Sequence, residues 1–407
     1  MCEYASVKTD LFGALGPTRE KATNPADRHS LLVVSQSLEG GGAQRVITIL
    51  LRHLDRKKFQ PSLALFTPQG AFLDKIPPDV PVYDVGERSP YNVTRTAAGL
   101  RRVIRSARPS VVLSVMKHPN LITLALCRAL FRAIPVVIAE RNTLSLTLMC
   151  DRGRLIKRFL HRRLYPCAKK IVAVSRGVKE DLECGFGISG DRIQVIDNPC
   201  DVEQVRRLAA EEPKLPIDWS VTTVMSAGRL TEQKGFRYLL EAFAAVSRER
   251  PCQLLLLGEG EEGPALARQA TRLGIADKVL TPGFVPNPFA FMARAHAFVL
   301  SSLWEGFPNV IIEAMACGTP VVSTSCPSGP VEIITHGLNG LLVPPGDSSA
   351  LAHAIDLVLT DRRLARHLGE GGRARVQAFS PEIIVRQYEA VLEEAIGDLP
   401  HGAQRSG

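Results

Sequence analysis

None of the nine cysteines in this 407-residue chain stands in a Cys-x-x-Cys pair, and their number is odd. Scattered in this way they suit reduced thiols in a cytosol, and they argue against a zinc ribbon or a disulfide framework. No apolar run approaches the roughly 18–20 residues that span a bilayer. The first residues, MCEYASVKTD, lack the charged and apolar regions of a signal peptide, and residues 1–28 are expected to form a flexible polar tail. Asp-x-Asp is missing, as is any His/Cys cluster at metal spacing, so no metal is expected. Aromatic residues make up only 6% of the chain, and no aromatic-rich surface or recognised module accompanies the net charge of +9. Nucleic acid is therefore not an expected partner. Repeats, heptads and low-complexity segments are absent too.

What is present is the composition of a globular protein, 45% hydrophobic and 22% charged, and too long for one ordinary core. Short apolar runs alternate with helical periods twice over. The first series is Leu31–Ser37, Ser62–Phe66, Val111–Val115, Val136–Ala139, Ile171–Ser175 and Gln194–Ile196, with helical spacing over Arg45–Leu54 and Ala97–Ser106. Glu211–Pro216, EEPKLP, interrupts it as a linker. The second series is Thr223–Met225, Leu254–Leu257, Val279–Leu280, Phe298–Leu300, Val321–Ser323 and Leu341–Val343. This alternation predicts an α/β protein with two Rossmann-like, doubly wound parallel-sheet domains facing across a cleft. The expected boundaries are 29–210 for the first domain and 217–379 for the second, with a terminal helix over 380–397.

The densest chemistry lies in Ser301–Gly318, SSLWEGFPNVIIEAMACG, where seven residues separate Glu305 from Glu313. A strand enters the segment, a Gly-Phe-Pro turn follows Glu305, Pro308 suits the first position of a helix, and Gly318 suits its left-handed cap. The helix start between the two carboxylates offers unpaired N–H groups, a ready anion site. In an open α/β sheet, ligands bind beyond the carboxyl ends of the strands. Arg229 and Lys234 follow the strand ending at Met225, Glu259 the one ending at Leu257, and Glu305 the one ending at Leu300. Charges from three strands thus converge on one edge. Plainer readings exist: a Glu near a helix start gains about 0.3–1 kcal/mol from the macrodipole alone, and Arg229 and Lys234 could form an ion-paired helix start with Glu232.

These segments resemble the retaining glycosyltransferases of family 4, whose E-x7-E signature matches Glu305 to Glu313. Ala227–Gly235 (AGRLTEQKG), Leu257–Gly260 (LGEG) and Gly337–Asp347 (GLNGLLVPPGD) agree in order and spacing, and Glu39–Arg45 (EGGGAQR) more weakly. The likeness covers about residues 30–395. It implies a GT-B fold, a UDP-sugar donor, no cofactor and no metal. By the same resemblance, Arg229 and Lys234 neutralise the donor diphosphate, Glu305 contacts sugar hydroxyls and Glu313 grips the ribose. Preorganised cations aimed at charge building on the bridging oxygen usually supply the largest catalytic term. Backbone N–H groups around Phe307, Asn309, Val310 and Ile311 would face the diphosphate or the sugar. Gly258 and Glu259, with Phe284 and Val285, would hold the uracil ring, although core burial of Phe284 is an equal reading. The terminal helix would cross back onto the first domain.

On the acceptor side, Gly41 and Gly42 would let the backbone approach phosphates or acceptor. His118 is expected to face the cleft as a catalytic group and Glu140 to contact the acceptor. A tight turn for the glycines and a hydrogen-bonded loop residue for His118 are the plainer alternatives. Ser325–Ile334 (SCPSGPVEII) resembles a subset that transfers N-acetylhexosamines onto polyprenyl-diphosphate glycans, in which Asp-Cys-Pro-(Ser/Thr)-Gly-Pro-Arg-Glu is usual; Ser325 and Val331 replace that Asp and that Arg. The expected reaction is retaining transfer of a hexose or N-acetylhexosamine from UDP to a lipid-linked glycan acceptor. The alternatives are a nucleotide-sugar epimerase, a phosphorylase, for which no pyridoxal-phosphate lysine site is found, and a non-catalytic nucleotide-sugar binding protein.

The basic charge is unevenly placed. Eighteen Lys or Arg lie between Arg101 and Lys179, against Glu140 and Asp151 alone. Within Arg152–Arg163, RGRLIKRFLHRR, Leu155, Ile156, Phe159 and Leu160 fall at helical spacing. Such a helix can lie on an anionic membrane surface; the plainer reading packs its apolar stripe on its own domain. The expected location is cytoplasmic, peripheral on the inner face of the cell membrane.

Overall fold

The computed structural model describes residues 28–397 apart from 40, 88–91 and 150–152. The expected tail up to residue 27, Gly40 of the glycine loop and Arg152 of the basic segment lie outside the described residues. The apolar runs form parallel strands covered on both faces, which is why LLVV at 31–34 and most of VVLSV at 111–115 are apolar without alternation. β1 (His29–Ser35), β2 (Phe59–Leu65), β3 (Val82–Asp84), β4 (Val111–Val115), β5 (Val136–Glu140), β6 (Lys170–Ala173) and β7 (Ile193–Val195) make one sheet, in the order β3-β2-β1-β4-β5-β6-β7. β8 (Thr222–Ala227), β9 (Cys252–Leu257), β10 (Val279–Gly283), β11 (Ala297–Leu300), β12 (Val321–Thr324) and β13 (Leu341–Val343) make a second, in the order β10-β9-β8-β11-β12-β13. All ladders in both are parallel. This is the doubly wound α/β architecture that the alternation predicts.

Sequence reasoning misses β3. It is three residues long, lies at a sheet edge, and has two exposed positions, so it carries no apolar run. Residues 211–221 form no helix or strand. The helix Val202–Ala209, which precedes them, packs on the helices Phe289–Met292 and Asn309–Cys317 of the second half. The last helix, Pro381–Gly397, lays Ile384, Tyr388, Leu392 and Ala395 into the core that contains Leu31, Val111 and Val137 of the first sheet. Lys58 and Lys170 pair with its Glu393 and Glu394 at 2.8 and 2.7 Å, and Glu389 accepts from the Asp55 N–H at 2.7 Å. The described residues thus begin and end on the same half, and the two halves are tied at both crossings.

The basic helix spans Arg154–Leu164, and the plainer reading, in which its apolar stripe packs on its own domain, is corrected. Leu155, Ile156 and Phe159 are 76, 69 and 65% exposed. The opposite side holds the helix in place: Arg158 and Arg162 each donate an Nη2 hydrogen bond to the Gly185 carbonyl, at 3.2 and 3.0 Å, and His161 is buried. Among the described residues no helix is long and apolar enough to cross a membrane.

Candidate active site

Each sheet reverses strand order beside an inner strand, β1 in the first and β8 in the second, and the sequence-predicted residues of the second half gather at the carboxyl ends around β8. Lys234 ends a short 3-10 turn after β8, and its Nζ bonds Glu305 Oε1 at 2.5 Å. Ser302 Oγ donates to the same oxygen at 2.6 Å, so Oε2 is left to accept from a ligand. Both partners of the ion pair are largely buried, with side chains 16 and 6% exposed. Arg229 is exposed and makes no ion pair among the described residues, so the ion-paired helix start with Glu232 is not formed. One cation is therefore anchored and the other free to move onto a ligand.

The loops after β8, β9 and β10 are knitted together beneath these charges. Gly258 has φ 137°, and a Cβ there would lie 1.9 Å from the Gly228 carbonyl oxygen, so only glycine fits. Leu230 N–H donates to the Glu259 carbonyl at 2.8 Å, and Glu259 Oε1 accepts from Phe284 N–H at 3.3 Å. Phe284 is 53% exposed, which corrects the reading of it as a core residue, while Val285 is partly buried. An exposed ring at the lip of a loop cluster is free to stack on a base.

After Glu305 the chain turns into the helix Asn309–Cys317. Pro308 caps this helix rather than starting it, and Gly318 at φ 80° ends it. The Ile311 N–H is taken by the Pro308 carbonyl at 3.0 Å, so Ile311, itself fully buried, donates nothing to a ligand. The Asn309 and Val310 N–H groups remain at the helix start. Phe307 is buried edge-on to Phe379, with centroids 5.6 Å apart, and supports the turn.

Glu313 meets the first half. It forms an ion pair with Arg45, on the helix Gly42–His53, whose guanidinium also lies over the Phe72 and Phe289 rings. Sequence reasoning gave Arg45 no role beyond the weak Glu39–Arg45 match; the separation of 268 positions hides the pairing. Beside it runs a chain of side-chain hydrogen bonds across the cleft. Asn309 Nδ2 donates to the Gly42 carbonyl at 3.1 Å, Asn198 Nδ2 to Asn309 Oδ1 at 2.7 Å, and Arg141 Nη1 to Asn198 Oδ1 at 2.5 Å. A Cβ on Gly42 would sit 2.9 Å from Asn309 Nδ2, so a side chain there would press on this link. Gly41, at the helix N-cap, is extended.

The Ser325–Ile334 segment also works across the halves. Glu332 accepts from the Arg176 and Gly177 N–H groups at 2.8 and 3.3 Å, and Ser328 Oγ donates to the Glu305 carbonyl at 2.7 Å. It therefore fixes the loop that carries Glu305.

On the first half, His118 lies in the first turn of the helix Lys117–Leu130. Its Nε2 is 3.1 Å from Glu87 Oε1, a buried carboxylate that also accepts from Thr96 Oγ1 at 3.2 Å and from Gln36 Nε2. Glu87 was not singled out from sequence, since it follows the unrecognised β3. Met116, just before, holds a non-glycine φ of 82°. Such strain costs about 1–3 kcal/mol and gathers where chemistry needs a set geometry. Glu140 is another matter. It is buried at the end of β5, accepts from Tyr165 Oη at 2.6 Å, and is pushed up in pKa by that burial. The structure puts it in the core beneath the cleft, not on the acceptor surface.

No group of three or more His, Cys, Asp or Glu side chains able to hold a metal ion occurs among the described residues.

Residues 209–375 match the family described as glycosyl transferases group 1, and residues 40–204 that described as glycosyltransferase family 4. An N-acetylgalactosamine-N,N'-diacetylbacillosaminyl-diphospho-undecaprenol 4-alpha-N-acetylgalactosaminyltransferase of Campylobacter jejuni is 30% identical over 362 residues, 86% of this chain and 95% of that one. The lipopolysaccharide core biosynthesis glycosyltransferase LpsE of Rhizobium meliloti is 39% identical over 201 residues, 49% of this chain and 57% of its own. Among solved structures, HepE of Anabaena in complex with UDP superposes with a TM-score of 0.71 at 25% identity, over 90% of this chain and all 100% of that one. Sucrose-phosphate synthase of Thermosynechococcus elongatus shares the fold, with a TM-score of 0.77 at 20% identity over 91% of this chain and 100% of that one.

Proposed function

Because this chain belongs to the glycosyltransferases of the GT-B fold, we propose that it transfers a hexose or N-acetylhexosamine from a UDP-sugar, with retention, to a glycan carried on a polyprenyl diphosphate. The observation that carries this reading is the buried Lys234–Glu305 pair beside a helix start, with Arg229, exposed on the same loop, unpaired among the described residues. The likeness to the Campylobacter enzyme, whose name specifies a diphospho-undecaprenol acceptor, supports the acceptor class.

Each group then has a defined task. As the sugar–phosphate bond lengthens, negative charge collects on the departing diphosphate. Arg229 offers a planar fork and Lys234 a point charge to meet it. The Asn309 and Val310 N–H groups add the positive end of a helix. With these donors in place no divalent ion and no further cofactor is required. Glu305, oriented by Lys234 and Ser302 through one oxygen, presents the other to donor-sugar hydroxyls. Glu313 reaches the ribose by loosening its hold on Arg45, so donor binding and the cross-cleft ion pair are coupled. His118, steadied by Glu87, serves the acceptor hydroxyl or the sugar from the opposite wall. Donor between the walls draws the halves together and excludes water.

The exposed Leu155, Ile156 and Phe159, rimmed by arginines, fit a helix that rests on an anionic membrane surface, where a polyprenyl-linked acceptor would lie. That places the enzyme at the inner face of the cell membrane in this reading.

The test is transfer from a panel of UDP-sugars to a diphospho-undecaprenol-linked acceptor, with the anomeric configuration of the product read by NMR. Transfer with the donor's configuration kept is the expected result. Inversion, or turnover of donor without any acceptor glycan extended, would overturn the proposal.

A further inference from the structure

At the amino ends of β5, β6 and β7, on the sheet edge opposite the catalytic cleft, lies a cavity of about 500 Å³. Arg128, Arg132, Lys169, Lys170 and Arg192 line it, and Asp191 is the one carboxylate on its wall among the described residues. We propose that this cavity is a second binding site, for a phosphate-bearing anion.

Charge and geometry point the same way. Arg128 Nη1 donates to Cys167 Sγ at 2.7 Å, Arg132 Nε to the Arg128 carbonyl at 3.0 Å, and Arg192 Nη1 to the Pro166 carbonyl at 2.6 Å. Each guanidinium is held by a neutral acceptor, and none of the three forms an ion pair among the described residues. Lys170 pairs with Glu394 of the last helix at 2.7 Å. The three guanidinium charges are thus left without an ion-pair partner among the described residues, with Asp191 the nearby carboxylate. Like charges gathered in one place repel, and more strongly near a protein surface than in bulk water. Folding alone gains nothing from gathering them around a void. A phosphate does, because anchored guanidinium forks keep further N–H donors for its oxygens. Leu124, Ile134 and Pro135 add apolar wall, which suits an organic phosphate.

Two sources share that chemistry: a soluble diphosphate, or the phosphodiester headgroup of an anionic lipid. The second is geometrically natural, since the exposed helix Arg154–Leu164 runs directly into Tyr165–Cys167 at the cavity wall, and Leu130, between Arg128 and Arg132, is 53% exposed. The site lies away from the donor cleft and does not rest on the sugar-transfer reading.

The experiment uses the full chain with the donor cleft filled by saturating UDP. Pyrophosphate binding is measured by calorimetry, and binding to phosphatidylcholine vesicles with and without phosphatidylglycerol by sedimentation. The variant R128Q/R132Q/R192Q should lose at least tenfold in pyrophosphate affinity, in phosphatidylglycerol-vesicle binding, or in both, with its unfolding midpoint and UDP affinity unchanged. Loss with pyrophosphate alone assigns a soluble ligand, and loss with vesicles assigns the headgroup. R101Q/R102Q/R105Q, which removes the same charge from the helix Val93–Ala107, should change neither. Equal losses in the two triple variants, or no loss in the first, would overturn the site. Should the triple variant not fold, R192Q alone, at an exposed position, carries the same comparison at a smaller threefold expectation.

Discussion

Replacing Lys234 by Met should separate what its ammonium does for the fold from what it does for transfer. The substitution strands Glu305, whose side chain is 6% exposed, with Ser302 as its remaining described partner. Breaking a fully buried ion pair by removing one partner costs about 3–5 kcal/mol. The 16% exposure of Lys234 and the surviving Ser302 bond lower the expectation here to about 2 kcal/mol. For a domain of this size that is roughly 4–8 °C in unfolding midpoint. Glu305→Gln should cost less, and the double variant K234M/E305Q should recover most of the loss, a coupling of about 1–2 kcal/mol between the sites. Transfer should behave in the opposite way. K234M loses about 10²–10³-fold in rate, the scale for one preorganised charge, and the double variant recovers none of it. Thermal unfolding followed by circular dichroism, beside transfer from radiolabelled donor, reads both quantities on four proteins. If the double variant regains rate together with stability, Lys234 does no more than neutralise Glu305. If K234M keeps both rate and midpoint near wild type, the active-site assignment is refuted.

Arg229→Ala should slow transfer by about two orders of magnitude with the midpoint unchanged, because Arg229 is exposed and unpaired among the described residues; a rate within a few-fold of wild type counts against its role on the diphosphate. Transfer should persist in EDTA, and its complete loss with restoration by magnesium or manganese would contradict the metal-free reading. L155S/F159S should weaken sedimentation with phosphatidylglycerol vesicles several-fold without altering UDP affinity; equal binding would make the stripe an ordinary exposed face. Asp197 is pushed up to about 6 by burial, with Glu332 adding repulsion and Arg375 and Arg176 opposing. A folded value above the unfolded one of about 3.9 means that its contribution to stability is fully present below pH 4 and is lost as pH rises through 6, about 1–2 kcal/mol after solvent screening. Asp197→Asn should remove that slope from the unfolding curve measured between pH 4 and 7, and an unchanged slope would assign it elsewhere.

By itself the sequence determined what is local or periodic. Strands covered on both faces lose the alternation of a half-exposed sheet, so twelve of the thirteen strands among the described residues stand out as runs, and β3, short and exposed at an edge, does not. Strand ends mark where ligands bind in such sheets, and the order of Arg229, Lys234, Glu259 and Glu305 after their strands was legible for that reason. What only the tertiary structure decided is pairing over long separations and depth from solvent. The Arg45–Glu313 ion pair and the chain from Gly42 through Asn309 and Asn198 to Arg141 join residues that no period or spacing relates. Glu87 beside His118 is another such meeting. Depth is equally hidden: Glu140 at a strand end reads as a ligand contact, yet Tyr165 closes over it, and the helical spacing of Leu155 and Phe159 fits a membrane-facing stripe and a core-packed one alike, whereas in the structure they face outward. Periodicity shows that a helix has an apolar side, and only the packing of its neighbours fixes which side is covered.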